Sequence, residues 1–196
     1  MARTPVAARR AGLLAAAMRV VAERGLAAAS TRAIVAEAGM SLASFHYAFD
    51  SRDELLDELI AEVISREETA VLPQELAGRP MQELIEAGLT GYFEHLRSAP
   101  EYEQAMLELT QFAVRTRPEM AREQYAQYAR IAEASLELAA AHSGTRWSLP
   151  LPTVARMLVA FTDGLTLAWL VDRDDEAAAT LIRSAARALA SLTEPA

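Results

Sequence analysis

The chain contains no cysteine and no lysine. Without cysteine it can build neither a disulfide framework nor a thiolate metal site. Without lysine, all 19 basic residues are arginine. Histidine is scarce: His46, His95 and His142 are scattered, and none has a second histidine or an acid at metal-ligand spacing. No metal and no cofactor are expected. There is no glycine-rich phosphate loop and no nucleophile elbow. The acidic clusters Asp53-Glu54, Asp57-Glu58 and Asp172 to Glu176 read as solvated helix faces or ends. An enzyme is therefore not expected. No apolar run reaches the roughly 18 uninterrupted residues of a membrane span, and Met1 to Arg10 lacks the plan of a signal peptide. A cytoplasmic protein that does not enter a membrane is the expectation. No segment reads as a strand, and no repeat is visible.

What remains is helical periodicity from end to end. The pattern predicts about nine helices. The first spans Val6 to Arg24, with Leu14, Met18 and Val21 inward and Arg9, Arg10, Arg19 and Glu23 outward. Two short helices follow between Ser30 and Ala48. A fourth runs from near Ser51 to about Thr69, with Leu55, Leu59 and Val63 inward and its acids solvated. Pro73 and Gly78-Arg79-Pro80 punctuate a connection. Later helices are predicted over Pro80–Ser98, Pro100–Arg115, Pro118–His142, Thr153–Val171 and Asp175–Ser191. The eighth is apolar nearly all round, so it should be buried on several sides.

The charge is unevenly placed. The chain of 196 residues has a net charge of −8, yet residues 1–52 hold seven arginines against three acids, a net +4, which leaves −12 for the rest. A basic end on an acidic chain suggests contact with nucleic acid at that end. The acidic remainder would be repelled by phosphates, which favours one docking orientation.

The stretch from Ser30 to Leu56 fits that suggestion. Ser30 or Thr31 can cap one helix, whose buried side is Ile34, Val35 and Ala38. Gly39 stands where a helix end needs a left-handed residue. Ser41 can cap the next helix, Leu42 to Ala48. Phe45 and Phe49, four residues apart, anchor its inner face. Leu42, Ala43, Ser44, His46 and Tyr47 fall on the other side, with no acid among them. A two-turn helix with an acid-free outer face can enter a DNA major groove without repelling phosphate.

This stretch resembles the DNA-binding region of TetR-family transcriptional regulators. The resemblance lies in Ala38-Gly39-Met40-Ser41, then Ser44-Phe45-His46-Tyr47-Ala48-Phe49, then Ser51-Arg52-Asp53-Glu54-Leu55. Leu13 to Leu26, with its closing Glu23-Arg24-Gly25, resembles the first helix of the same family. About the first third of the chain is covered. Three positions depart from the pattern. His46 stands where a phosphate-contacting tyrosine is usual, Ala48 where histidine is common, and Arg52 where lysine is usual. Arg52 keeps the charge but changes the donor geometry.

The resemblance implies an all-α fold. A three-helix helix-turn-helix domain (residues 1–50) would precede a helical ligand-binding and dimerisation domain (residues 51–196), with the fourth helix as the link. Double-stranded operator DNA would be met by Arg32, Ser41, Leu42, Ala43, Ser44, His46, Tyr47 and Arg52. The family's ligand cavity lies in the helices that here carry Phe93, Met106, Leu109, Phe112, Tyr125, Tyr128, Phe161 and Trp169. Each of these alone fits a core as well as a pocket. Glu108, Thr162 and Asp163 are the polar candidates there, and Gly88 and Gly91 suggest space beside it. The last two helices would pair with their copies in a homodimer, placing Leu181 and Leu189 at the interface. The expected function is transcriptional repression of a palindromic operator, released by a small, largely apolar molecule. The alternative is a helical dimeric module that binds a small molecule or a protein and reads no operator.

Overall fold

The computed structural model describes residues 6–66 and 78–196. Among them the helices are α1 (Val6–Arg24), α2 (Thr31–Glu37), α3 (Leu42–Ala48), α4 (Arg52–Arg66), α5 (Met81–Ser98), α6 (Pro100–Thr116), α7 (Pro118–Ser143), α8 (Leu151–Asp172) and α9 (Asp175–Ala190). The expected extension of α4 to Thr69 and the connection at Pro73 lie outside the described residues, as does the side chain of Val63. A 3-10 turn at Leu26–Ala28 and a two-stranded pair, β1 (Thr145–Trp147) with β2 (Thr193–Pro195), complete the elements. The strand pair corrects the expectation of an entirely strand-free chain. Three-residue strands are too short for a period-two pattern to register in sequence. The pair is antiparallel, with Arg146 opposite Glu194.

Contacts divide the chain into two compact units. The first comprises Met1–Arg66 with Pro100–Glu123. Its core begins with α1, whose Leu13, Leu14, Ala16, Ala17, Val20 and Val21 are buried. Ile34 and Val35 of α2, Phe45 of α3, and Leu55, Leu56, Leu59 and Ile60 of α4 close over them. Burying a side chain such as Phe45 stabilises by about 1.5–3 kcal/mol. Packing adds a later segment to this unit: Ala105, Leu109 and Ala113 of α6 belong to the same core. A boundary at residue 50 follows chain order, whereas burial joins α4 and α6 to the first three helices.

The acids of α4 are more than a solvated face. Glu54 and Glu58 both take Arg10 of α1, with Arg10 Nε donating to Glu58 at 3.0 Å and Arg10 Nη2 to Glu54 at 3.1 Å. Asp57 accepts from Arg117 Nε at 2.8 Å. Arg10 is thus turned inward, and its guanidinium also lies 4.2 Å above the Phe49 ring.

The second unit comprises Glu67–Ala99 with Gln124–Ala196. Leu84, Leu89, Phe93 and Leu96 of α5 pack against Ile182, Ala185, Ala186 and Leu189 of α9. The alanines let the two helix axes approach closely. At the α8–α9 corner Arg173 is left-handed (φ 56°) and its N–H donates to the Trp169 carbonyl at 2.8 Å. Asp174 then caps α9 by accepting from Glu176 and Ala177 N–H at 3.0 and 2.9 Å. Buried polar groups are satisfied here: the Tyr92 and Thr166 hydroxyls share a hydrogen bond, and Gln124 donates to Tyr128.

Two expectations need correction. Leu189 is fully buried in this unit's own core, so it is not available to a partner subunit. Nor is α8 covered on several sides: only 28% of its most apolar 18-residue window is buried, and Leu167 and Val171 are 58% and 79% exposed. It is the one described helix long and apolar enough to cross a membrane. One such helix, broken by Asp163 and Arg156, is a weak membrane signal.

Candidate nucleic-acid interface

The helix-turn-helix is assembled by local chemistry. Ser30 caps α2 by accepting from the Ala33 N–H at 3.2 Å. Gly39 takes φ +64°, a left-handed conformation that costs glycine nothing and other residues more. With it, the Met40 N–H reaches back to the Val35 carbonyl at 2.9 Å and ends the helix. Ser41 then caps α3 by accepting from Ser44 N–H at 3.1 Å, and the two hydroxyls lie 3.0 Å apart. Phe45 and Phe49 stack at 5.7 Å between centroids and hold α3 to the core.

That anchoring leaves Ser41, Leu42, Ala43, His46 and Tyr47 exposed and Ser44 half-buried. No acidic residue occurs in α3. Tyr47 is 52% exposed, and the Arg9 guanidinium lies 4.9 Å from its ring centroid, adding positive charge beside the helix. The His46 ring meets the edge of Phe45 at 5.6 Å and remains exposed. Arg32, on the first turn of α2, is exposed and has no ion pair among the described residues. The nearby acid Glu37 is already neutralised, by Arg19 at 2.8 Å and Arg24 at 3.4 Å. The result is a face of small, aromatic and cationic groups.

Arg52 behaves differently from the other seven candidates. Its Nε donates to the Ala29 carbonyl at 2.6 Å and its Nη2 to the Leu26 carbonyl at 2.9 Å. The guanidinium is therefore engaged with the turn before α2. The fork of two donors explains what arginine does here that a lysine point charge would do less well. Sequence spacing gave no signal of this, because the partners are backbone carbonyls more than 20 positions away.

At the α3–α4 junction, the Glu54 carboxylate accepts from Asp50 N–H at 2.7 Å and from Arg10 at 3.1 Å. These bonds, the backbone one foremost, hold its pKa below the usual carboxylate value.

The residues expected around a ligand separate between the two units. Met106, Leu109 and Phe112 lie in the first, where Leu109 is core and Phe112 packs against it. Phe93, Tyr125, Tyr128, Phe161 and Trp169 lie in the second. Phe93 and Trp169 are buried edge to face at 5.6 Å, so within that unit they act as core. Tyr125 and Tyr128 pair at 5.4 Å, and the Tyr125 hydroxyl donates to Asp163 at 3.0 Å. Burial, opposed by that bond, leaves the Asp163 pKa above the usual range, and burial followed by the nearby carboxylate pushes Tyr125 up to about 12. Among the other polar candidates, Glu108 accepts from the Leu26 N–H, and Thr162 donates to the Val159 carbonyl in its own helix. Gly91 is exposed, with open space where a side chain would begin, so it does not border an enclosed cavity. No group of three or more potential metal ligands occurs among the described residues.

Comparison with known proteins places this geometry. Residues 13–59 match the family of bacterial regulatory proteins designated tetR. The multidrug binding protein EbrR, solved with imidazole, is 28% identical over 96% of this chain and 97% of its own, with a TM-score of 0.71. EbrR solved with ethidium is 27% identical over 90% and 98%, with a TM-score of 0.64. A TetR transcription regulator from Haloarcula marismortui shares the fold, at a TM-score of 0.76 and 18% identity over 96% and 100%. No curated protein sequence matches the chain significantly. The capped helix pair, the acid-free face of α3, the match over residues 13–59 and the similarity across nearly the whole length agree: the chain carries a DNA-binding region of the tetR type and shares the fold of TetR-family transcriptional regulators.

Proposed function

We propose that the protein is a homodimeric repressor that binds a palindromic operator through α3 and the first turn of α2. The acid-free outer face of α3 carries this reading, with Arg32 exposed beside it and unpaired among the described residues. Tyr47 and Ser44 complete the contact surface, and Arg9 and His46 lie toward the phosphates. A dimer presents two such helices to half-sites about 34–36 Å apart. Its interface is the uncovered side of α8, where Leu167 and Val171 stand in solvent, with the partly buried Leu181 contributed by α9.

Release follows from a population shift: a small molecule that binds the DNA-incompetent state more tightly draws the dimer away from DNA. The effector is aromatic and carries positive charge. Asp163 is a half-buried carboxylate in an otherwise apolar stretch of α8, flanked by the Tyr125–Tyr128 pair. Acid and aromatic faces together favour an organic cation. EbrR, solved with ethidium and with imidazole, supports an effector of this kind.

The operator reading is tested by selecting duplexes from a randomised pool with the wild-type protein, then measuring mobility shifts with Arg32→Ala. Loss of about 1–3 kcal/mol at one base pair of each half-site is expected if Arg32 reads a base edge. A wild type that enriches no duplex would favour a helical binding module without operator recognition.

A further inference from the structure

The turn that joins α1 to the helix-turn-helix is held from two directions. Gly25 ends α1 at φ +78°, and Leu26 opens the 3-10 turn. The Leu26 N–H donates to the Glu108 carboxylate of α6 at 2.5 Å. The Leu26 and Ala29 carbonyls accept from Arg52 of α4. Every one of these partners lies within the first unit. The positive φ of Gly25 favours glycine there, and the Glu108 carboxylate lies in ordinary van der Waals range of where its side chain would begin, 3.4 Å away. Ser30, the cap of α2, follows one residue after Ala29, and its own N–H is bonded to the Ala28 carbonyl at 2.7 Å. Where the turn sits therefore sets where α2 begins, and the Gly39–Met40 corner carries that placement on to α3.

We propose that Glu108 and Arg52 are positioning residues for DNA recognition, which together fix the Gly25–Ala29 turn and so the pose of the reading helix. They act through backbone groups and touch no DNA. This assignment rests on the operator reading given above, and it differs from a phosphate contact by Arg52. A phosphate contact contributes equally to every duplex and to the salt dependence, whereas a positioning contact contributes only where base edges must be met.

The two roles separate in one set of measurements. Full-length wild type, Glu108→Ala, Glu108→Gln and Arg52→Ala are titrated against the duplex selected by the wild type and against a scrambled duplex, across a range of salt. Temperatures well below each variant's unfolding midpoint are used. Glu108→Ala and Arg52→Ala are expected to lose tenfold or more in the ratio of selected to scrambled affinity. Their scrambled affinity should not fall, and their salt slope should match the wild type. Glu108→Gln retains an acceptor oxygen and should recover most of the ratio. Amide exchange at Leu26 should quicken in Glu108→Ala and not in Glu108→Gln. A wild-type ratio in Glu108→Ala overturns the role of Glu108. For Arg52, an equal loss on both duplexes, with a slope reduced by about 0.9, makes it a phosphate contact instead. A wild type that selects no duplex overturns the operator reading itself, and with it any reading helix to position.

Discussion

Arg10, Arg52 and Arg32 have the same side chain and three different situations. Arg10 is clamped by Glu54 and Glu58, Arg52 by two carbonyls, and Arg32 is exposed to solvent. Helical period sets Arg10 outward, and the family resemblance sets Arg52 toward DNA; each reports a direction and not a partner. The clamp on Arg10 has a consequence in acid. The Glu54 pKa is lowered from 4.5, first by the Asp50 N–H and then by Arg10. A group lowered on folding contributes stability above its unfolded value and loses it as pH falls through its folded value. The gap in thermal midpoint between wild type and Glu54→Gln should therefore be largest near neutrality and shrink below about pH 4. A gap independent of pH would mean that the carboxylate charge is not what holds the α3–α4 junction.

At the level of the element, α8 is the helix whose surroundings least match its composition. Its stripe Val154, Leu165 and Trp169 is buried, while Leu167 and Val171 on the other side are not. If a second copy covers that side, Leu167→Arg buries an unpaired charge at the contact, at a cost of several kcal/mol. Sedimentation should then show monomers that keep wild-type helicity. Leu189→Arg should instead destabilise the protomer itself, since Leu189 lies wholly inside it. An undisturbed dimer in Leu167→Arg would move the interface off α8. The long helices were legible from sequence to within a few residues, because each offers several turns of period 3.6 and most have a proline or glycine near an end. The same logic identified Ser41 as a cap and Gly39 as left-handed, and narrowed the first cap to Ser30 or Thr31, of which Ser30 is the one used. What escaped was short or non-local: the Leu26–Ala28 turn, the three-residue strands, and the choice of side of α8 that its own protomer covers. The exposed face of α3 was readable because Phe45 and Phe49 fix its rotation. The ligand residues were not, since an aromatic at helical spacing looks the same in a core as in a pocket.

For the whole molecule, the proposed response to an effector links a carboxylate on α8 to binding of a cation. Asp163 has a pKa raised by burial, so it holds its proton to higher pH than an exposed aspartate. An organic cation favours the ionised form, so its affinity should rise with pH as Asp163 ionises, and binding should release a proton near that point. Titration with ethidium in the absence of DNA should show this rise in wild type. In Asp163→Asn it should show a flat profile and affinity about tenfold lower, the effect of roughly 1.4 kcal/mol. Equal, pH-independent affinity in both would place any cation elsewhere. The first unit carries a separate lesson about modularity. Its core is written in two instalments: residues up to Arg66, then Ala105, Leu109 and Ala113 after an intervening helix has been spelled out. On the ribosome the reading head therefore cannot complete its core when its own helices emerge; it waits for α6. A graft that exchanges only residues 1–66 between two regulators would seat a borrowed reading head on a stranger's α6, and the Leu26 N–H would meet Glu108 only if the host happened to keep an acid there.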